Sequence, residues 1–208
     1  MNLKERIENF EKRIAKKQAP VPLYSVIASL YSKEYRKYHN LEHITNCLAE
    51  FDKARHLSEN PDALEMAILF HDIVYDTQKK ANEEKSAISG YRYAMLLGLD
   101  EKFCESVKSL ILATKHDKVP DFFDGKLICD IDLSIFGSSF YEFNEYGKRI
   151  REEYSFVPSE AFTQGRKKLL ERFLSRKRIY YTDFFFDLYE KQARKNLERS
   201  LAKLQVSF

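Results

Sequence analysis

Apolar residues recur along most of the chain at intervals of three and four positions, which is the pattern of amphipathic α-helices. The alternation of apolar and polar residues that indicates a β-strand never extends beyond a few positions. The pattern therefore predicts an all-α protein. The predicted helices, with boundaries good to several residues, cover about 3–17, 22–37, 40–57, 61–76, 82–98, 100–116, 127–136, 139–154, 158–177 and 181–205.

Residues that begin helices stand before several of these segments. Asn40 can cap the third helix, and Asn60-Pro61-Asp62 combines a cap, a proline at the first helical position and an acid. Asn82 and Asp100 precede the fifth and sixth helices in the same way. Residues 117–126 contain a proline and a glycine and predict a loop.

Composition narrows the class of protein without identifying it. The 208 residues are 44% hydrophobic and carry a net charge of only +3, which argues against nucleic acid as a partner. No apolar run reaches the roughly 18 residues of a membrane span, and the charged N-terminus lacks the apolar core of a secretory signal. Three widely spaced cysteines, Cys47, Cys104 and Cys129, form no disulfide framework. We therefore expect one domain over residues 1–208, located in the cytoplasm.

A histidine and an aspartate interrupt the most apolar predicted helix. At helical spacing His71 lies over Ala67 and Ile68, and Asp72 lies beside it. A carboxylate that faces a core is costly unless it is paired or bound to a metal ion. A buried His–Asp hydrogen bond and a metal site are both open interpretations of this pair.

A second acid faces an apolar stripe in the segment LICDIDLSIFG. Apolar residues surround Asp132 at helical spacing, whereas Asp130 has a lysine and a serine among its neighbours. The spacing predicts that Asp130 is the more solvated acid and that Asp132 reaches a buried metal ion. A cap for another helix inside the protein is the alternative role of Asp132.

The two histidines of YHNLEHI occupy different positions. His43 lies at the edge of an apolar stripe, and His39 lies on the loop that enters the helix. A histidine at such an edge is often an ordinary core residue. His43 and Cys47 would also suit zinc, but no second thiol is near them in the sequence.

Four of these side chains form a mixed nitrogen and oxygen ligand set: His43, His71, Asp72 and Asp132. Such a set suits Fe, Mn, Zn, Co or Ni, with Mg at a second, more oxygen-rich position.

The order of these residues resembles that of the HD superfamily of metal-dependent phosphohydrolases, to which AILFHDIVYD and CDIDLSIFG fit closely. YHNLEHI is similar to the H-N-x-x-H of cyclic-nucleotide phosphodiesterases, which share the same metal core. Most of residues 22–200 resembles a bacterial group of small HD phosphohydrolases of unknown substrate. The resemblance implies an HD-type helical bundle with additional N- and C-terminal helices, with a metal core at about 22–137 and a helical extension at about 138–208.

The resemblance implies hydrolysis of a phosphate mono- or diester, of a nucleotide or related metabolite, by a water that the metal activates. By position, His43 would be a ligand and His39 the acid that protonates the leaving group. Asp72 would bridge two ions if two bind. Asp76, which helical spacing places one turn after Asp72, would orient the water, or it is an exposed acid at a helix end.

Three further residues are candidates for the site. Lys115 and His116, at the end of ILATKH, would hold a substrate phosphate, although both also suit a helix C-terminus. Glu83 would approach the metal ligands from outside, although an acid is favourable in any first helical turn.

The chain departs from two branches of the superfamily. Tyr75-Asp76 stands where guanosine tetraphosphate hydrolases have Glu-Asp, and the signature of cyclic di-GMP phosphodiesterases is absent. One alternative function is a non-catalytic HD module that binds a nucleotide or a metal as a sensor or regulatory partner. Another is a nucleic-acid-binding protein that uses the basic segment 165–178. The expected partner is a small-molecule phosphate ester, without a membrane, and self-association is left open.

Overall fold

The structure is a computed structural model that describes residues 1–206, and it confirms the all-α class, with no strand among those residues. Two short 3₁₀ segments, Arg55–Leu57 and Leu133–Gly137, extend α3 and α7. The α-helices are α1 Leu3–Ile14, α2 Leu23–Tyr31, α3 Leu41–Ala54, α4 Pro61–Phe70, α5 Asn82–Leu96, α6 Glu101–Ala113, α7 Phe123–Asp132, α8 Phe140–Glu153, α9 Ser159–Leu174 and α10 Asp183–Val206.

The described chain divides into two compact units. Unit 1 comprises Met1–Ile128, and unit 2 begins at Cys129, so the boundary falls inside α7. This boundary precedes the one at about 137 that the resemblance implies, and the single domain over residues 1–208 stays a prediction. No helix within residues 1–206 is both long and apolar enough to span a membrane.

Helix α4 is the centre of unit 1. It packs against α3, α5 and α6, and every residue from Ala63 to Phe70 is buried. The one acid in that run, Glu65, accepts hydrogen bonds from Arg6 Nε (3.1 Å) and Arg55 Nη1 (2.7 Å), and it also pairs with Arg13. A buried carboxylate needs such partners, and here they tie α1 and the Arg55–Leu57 segment to α4.

Unit 2 is built around the segment between α9 and α10. Two buried carboxylates accept its backbone amides: Glu190 those of Ile179 and Tyr180, and Asp130 those of Tyr181 and Thr182. Asp130 is 0% exposed, so the prediction that it is the more solvated acid is wrong. Its neighbours in α7 did not decide its burial, because its carboxylate caps a segment about fifty residues later in the chain.

Three of the four predicted capping residues are confirmed, whereas Asn82 is the first residue of α5 and Ala81 stands at the cap position. The Asn40 side chain accepts from the amides of Glu42 and His43, and the Asn60 side chain accepts from Ala63. Three predicted boundaries are wrong. Helix α2 ends at Tyr31 rather than near 37, α4 ends at Phe70 rather than near 76, and α7 begins at Phe123, inside the predicted loop 117–126.

Candidate metal centre

His71 and Asp72 lie in a turn, not inside a helix as the apolar pattern predicted. Helix α4 ends at Phe70 with His71 as its C-cap. No glycine or proline ends it there. Instead, the amide of Asp72 donates to the Tyr31 hydroxyl at 3.2 Å, and the amide of Val74 donates to Ser86 Oγ at 3.0 Å. Side chains from α2 and α5 thus replace the bonds that would continue the helix.

A buried arginine donates hydrogen bonds to the carbonyl groups of the same turn. Arg36, which is 5% exposed, donates from Nη1 to the Asp72 oxygen (2.7 Å) and from Nη2 to the Ile73 oxygen (2.9 Å). These bonds satisfy carbonyls that the helix leaves open. Neither Arg36, Tyr31 nor Ser86 stood out in the sequence, because no local pattern shows that a loop arginine or a helical serine will meet a distant turn.

The two histidines meet inside unit 1. His43 is 4% exposed and His71 is 3% exposed, and their Nε2 atoms are 3.1 Å apart. Asp72 Oδ2 lies 3.1 Å from His71 Nε2 and 3.7 Å from His43 Nε2. Three of the four predicted ligands therefore converge on one point.

The backbone fixes the protonation of the His71 ring. Its Nδ1 lies 2.8 Å from the carbonyl oxygen of Ile68, and because a carbonyl only accepts, Nδ1 carries a proton. In a neutral ring Nε2 then presents a lone pair to the Asp72 carboxylate. Two acceptors at 3.1 Å repel each other unless a cation or a proton lies between them.

The spacing of these atoms fits a shared ion. Nitrogen and oxygen ligands about 2.0–2.2 Å from one tetrahedral ion stand roughly 3.3 Å from each other. The three separations between the ligand atoms, 3.1, 3.1 and 3.7 Å, bracket that value. A histidine held at Nδ1 by a backbone carbonyl is also the arrangement that orients many metal ligands.

His43, Cys47 and His71 belong to one group of buried side chains that could hold a metal ion. Asp132 is the last residue of α7, the helix within which the boundary between the units falls. Its role as a ligand stays a prediction.

Cys47 contributes to this cluster by packing. Its Sγ lies 3.7 Å from both ring nitrogens of His43. A sulfur that accepted from one ring nitrogen, or shared an ion with it, would be clearly farther from the other. Equal distances place the sulfur over the face of the ring, so we keep Cys47 outside the proposed ligand set.

His39 lies beside the histidine pair. Its half-buried ring stacks on Tyr75 with centroids 4.3 Å apart, and its centroid is 5.7 Å from that of His43. Tyr38 contacts both rings at centroid distances of 4.9 and 5.0 Å. The structure therefore places the predicted acid next to a predicted ligand, within an aromatic cluster.

Asp76 does not lie one helical turn after Asp72, because α4 ends before both residues. Its carboxylate pairs with Lys79 at 2.9 Å and accepts from the amide of Gln78. The Lys79 ammonium and this amide lower the pKa of the Asp76 carboxyl, which makes it a weaker base.

The remaining predicted residues lie at helix ends in unit 1. Lys115 pairs with Glu84, whose hydrogen bond raises the pKa of the Lys115 ammonium. His116 is 8% exposed and has a φ of 56°, a left-handed conformation that is uncommon outside glycine. Glu83 lies half-buried in the first turn of α5.

Comparison of the chain with protein-family models, with curated proteins and with solved structures finds no match.

Proposed function

We propose that the protein is an HD-type metal-dependent phosphohydrolase that cleaves a phosphate mono- or diester of a nucleotide or related metabolite. The observation that carries the proposal is the convergence of His43 Nε2, His71 Nε2 and Asp72 Oδ2 within 3.1–3.7 Å in a buried position. The order of residues in the sequence adds Asp132 as the fourth ligand. Such a set suits Fe, Mn, Zn, Co or Ni better than Mg.

The protein holds the ligand side chains in defined orientations, which would fix the position of the ion. The Ile68 carbonyl holds the His71 ring, Cys47 packs against the His43 ring, and Arg36 holds the backbone of Asp72. When bound, a divalent ion lowers the pKa of a water from 15.7 to about 7 and polarises a phosphoryl oxygen.

His39 is the proposed general acid. A half-buried imidazole beside the ligands can carry a proton at neutral pH and deliver it to the oxygen of the leaving group. Stacking on Tyr75 restricts the ring and keeps it near His43. Asp76 is proposed only as a residue outside the ligand set that orients water, because its carboxylate forms an ion pair with Lys79.

Lys115 and His116 are the proposed contacts to the substrate phosphate. Lys115 already neutralises Glu84, so a phosphate would have to share or replace that partner. The left-handed backbone at His116 has an energetic cost, and strain of this kind is often found at functional sites.

The experiment is a turnover assay on metal-free protein reloaded with Mn, Co, Ni or Mg. The panel contains nucleoside mono-, di- and triphosphates, cyclic nucleotides and the p-nitrophenyl esters of phosphate. We expect metal-dependent release of phosphate or nitrophenol, with a loss of about 10²–10⁴-fold in His39→Gln and none in the exposed His56→Gln. Tight binding of one nucleotide without turnover of any compound would contradict the enzymatic function and support a non-catalytic sensor instead.

A further inference from the structure

Arg36 stands out among the buried charged residues of unit 1. It lies in the loop between α2 and α3 and is 5% exposed. Its guanidinium donates three hydrogen bonds to backbone carbonyls, from Nη1 to His39 (3.0 Å) and Asp72 (2.7 Å), and from Nη2 to Ile73 (2.9 Å). Burying a cation is costly, so a buried arginine needs this number of acceptors.

These three carbonyls belong to two segments that are distant in the sequence. One segment enters α3 and carries His39, and the other is the turn that carries Asp72. A guanidinium is planar, and its donors have fixed directions, so it sets the separation of the groups it binds. A lysine ammonium, a compact charge on a flexible stem, cannot set it in the same way.

Two tyrosines reinforce the connection that Arg36 makes. The guanidinium carbon lies 4.7 Å from the ring centroid of Tyr31 and 5.4 Å from that of Tyr75. The Tyr31 hydroxyl accepts from the amide of Asp72, and the Tyr75 ring stacks on His39. Tyr31 therefore contacts the turn that carries Asp72, and Tyr75 contacts the segment that carries His39.

We propose that Arg36 is a positioning residue that holds the His39 loop against the Asp72 turn, so that the proposed acid and the proposed metal ligands share one fixed geometry. This inference rests on the proposed metal site. It assigns Arg36 no contact with metal or substrate. Its effect on the site is transmitted through the carbonyls of His39 and Asp72.

The chain provides a matched control for a test of Arg36. Arg194, in α10 of unit 2, also donates to three backbone carbonyls, those of Leu174, Arg176 and Lys177. Arg36→Lys and Arg194→Lys therefore both remove a guanidinium that donates hydrogen bonds to three backbone carbonyls. Only the first change touches a segment that carries a proposed ligand.

The experiment is a Co²⁺ titration of metal-free wild type, Arg36→Lys and Arg194→Lys, followed by the visible absorption of bound cobalt. Circular dichroism fixes a temperature at which all three proteins are folded, so a change in fold stability alone leaves the affinity unchanged. We expect Arg36→Lys to bind Co²⁺ about 10–100-fold more weakly with an altered spectrum, and Arg194→Lys to match the wild type.

Each other outcome has a distinct meaning. Equal affinity and spectrum in all three proteins would overturn the role of Arg36 and leave the metal site standing. A wild type that binds no Co²⁺ would instead overturn the proposed function. If Arg36→Lys does not fold, Arg36→Gln, which keeps a neutral donor, is compared with Arg194→Gln, and the same two criteria apply.

Discussion

Ser86 provides a direct test of why α4 ends before the His71-Asp72 dyad. Its side chain is fully buried, and its Oγ accepts from the Val74 amide at 3.0 Å and donates to the Val74 carbonyl at 3.3 Å. Ser86→Ala removes both bonds and changes no apolar contact. The backbone of Val74 then has no partner that would hold the turn away from a helical path.

The expected loss of stability follows from the two bonds. Each protein hydrogen bond contributes about 1 kcal/mol net, and a buried group left without a partner costs about 1–3 kcal/mol. Val74 is half-buried, so water can reach part of its backbone, and the cost for each group left without a partner is near the lower end of that range. We expect a loss of about 2 kcal/mol, or about 4–8 °C in Tm for a chain of this size.

Ser89→Ala is the matched control, because Ser89 lies three residues later on α5, is only half-buried, and bonds only the Lys85 carbonyl of its own helix. We expect its stability to stay within about 0.5 kcal/mol of the wild type. Urea unfolding followed by circular dichroism measures both variants. Equal midpoints for Ser86→Ala and Ser89→Ala would refute the view that α5 determines where α4 ends.

Two further predictions concern buried carboxylates, both measured by the urea midpoint. Glu65→Ala should cost about 2–3 kcal/mol, because it removes the buried acceptor of Arg6 and Arg55, although Arg6 keeps its pair with Asp52. Removal of the more exposed Asp62 should cost about 1 kcal/mol or less. Asp130→Ala should cost about 3 kcal/mol, since it removes the acceptor of three hydrogen bonds, and Asp187→Ala, at an exposed position of α10, should change little. A small effect of Asp130→Ala would contradict the capping role that the structure gives it.

The features that could be predicted from the sequence are those with a local cause. Asn40 and Asn60 begin helices because a short polar side chain reaches the amides two or three residues later. The burial of His43 and His71 followed from the apolar residues around them, and the structure confirms it. The convergence of these two rings needed the fold, because their separation in sequence is 28 residues.

The predictions that failed depend on partners far away in the chain. The apolar pattern continues past Phe70, and only Tyr31, Arg36 and Ser86 end the helix there. Asp130 was expected to be solvated, because neighbours at helical spacing do not show a segment about fifty residues later that needs its carboxylate. Tertiary hydrogen bonds decided both features, and no pattern within one helix contains them.

The central claim is that His43, His71 and Asp72 hold a metal ion, and metal content tests it most directly. The protein is purified without added metal and without a histidine tag, and metals are then quantified by elemental analysis in the wild type, His71→Ala, Asp72→Ala and His56→Ala. His56 is exposed and serves as the control. We predict close to one transition-metal ion per chain in the wild type and in His56→Ala, and loss of that ion in the other two variants. Equal metal content in all four proteins, or none in the wild type even after reloading with Co²⁺, would contradict the account. A shared proton, and not a metal ion, would then explain the close approach of His71 Nε2 to the Asp72 carboxylate.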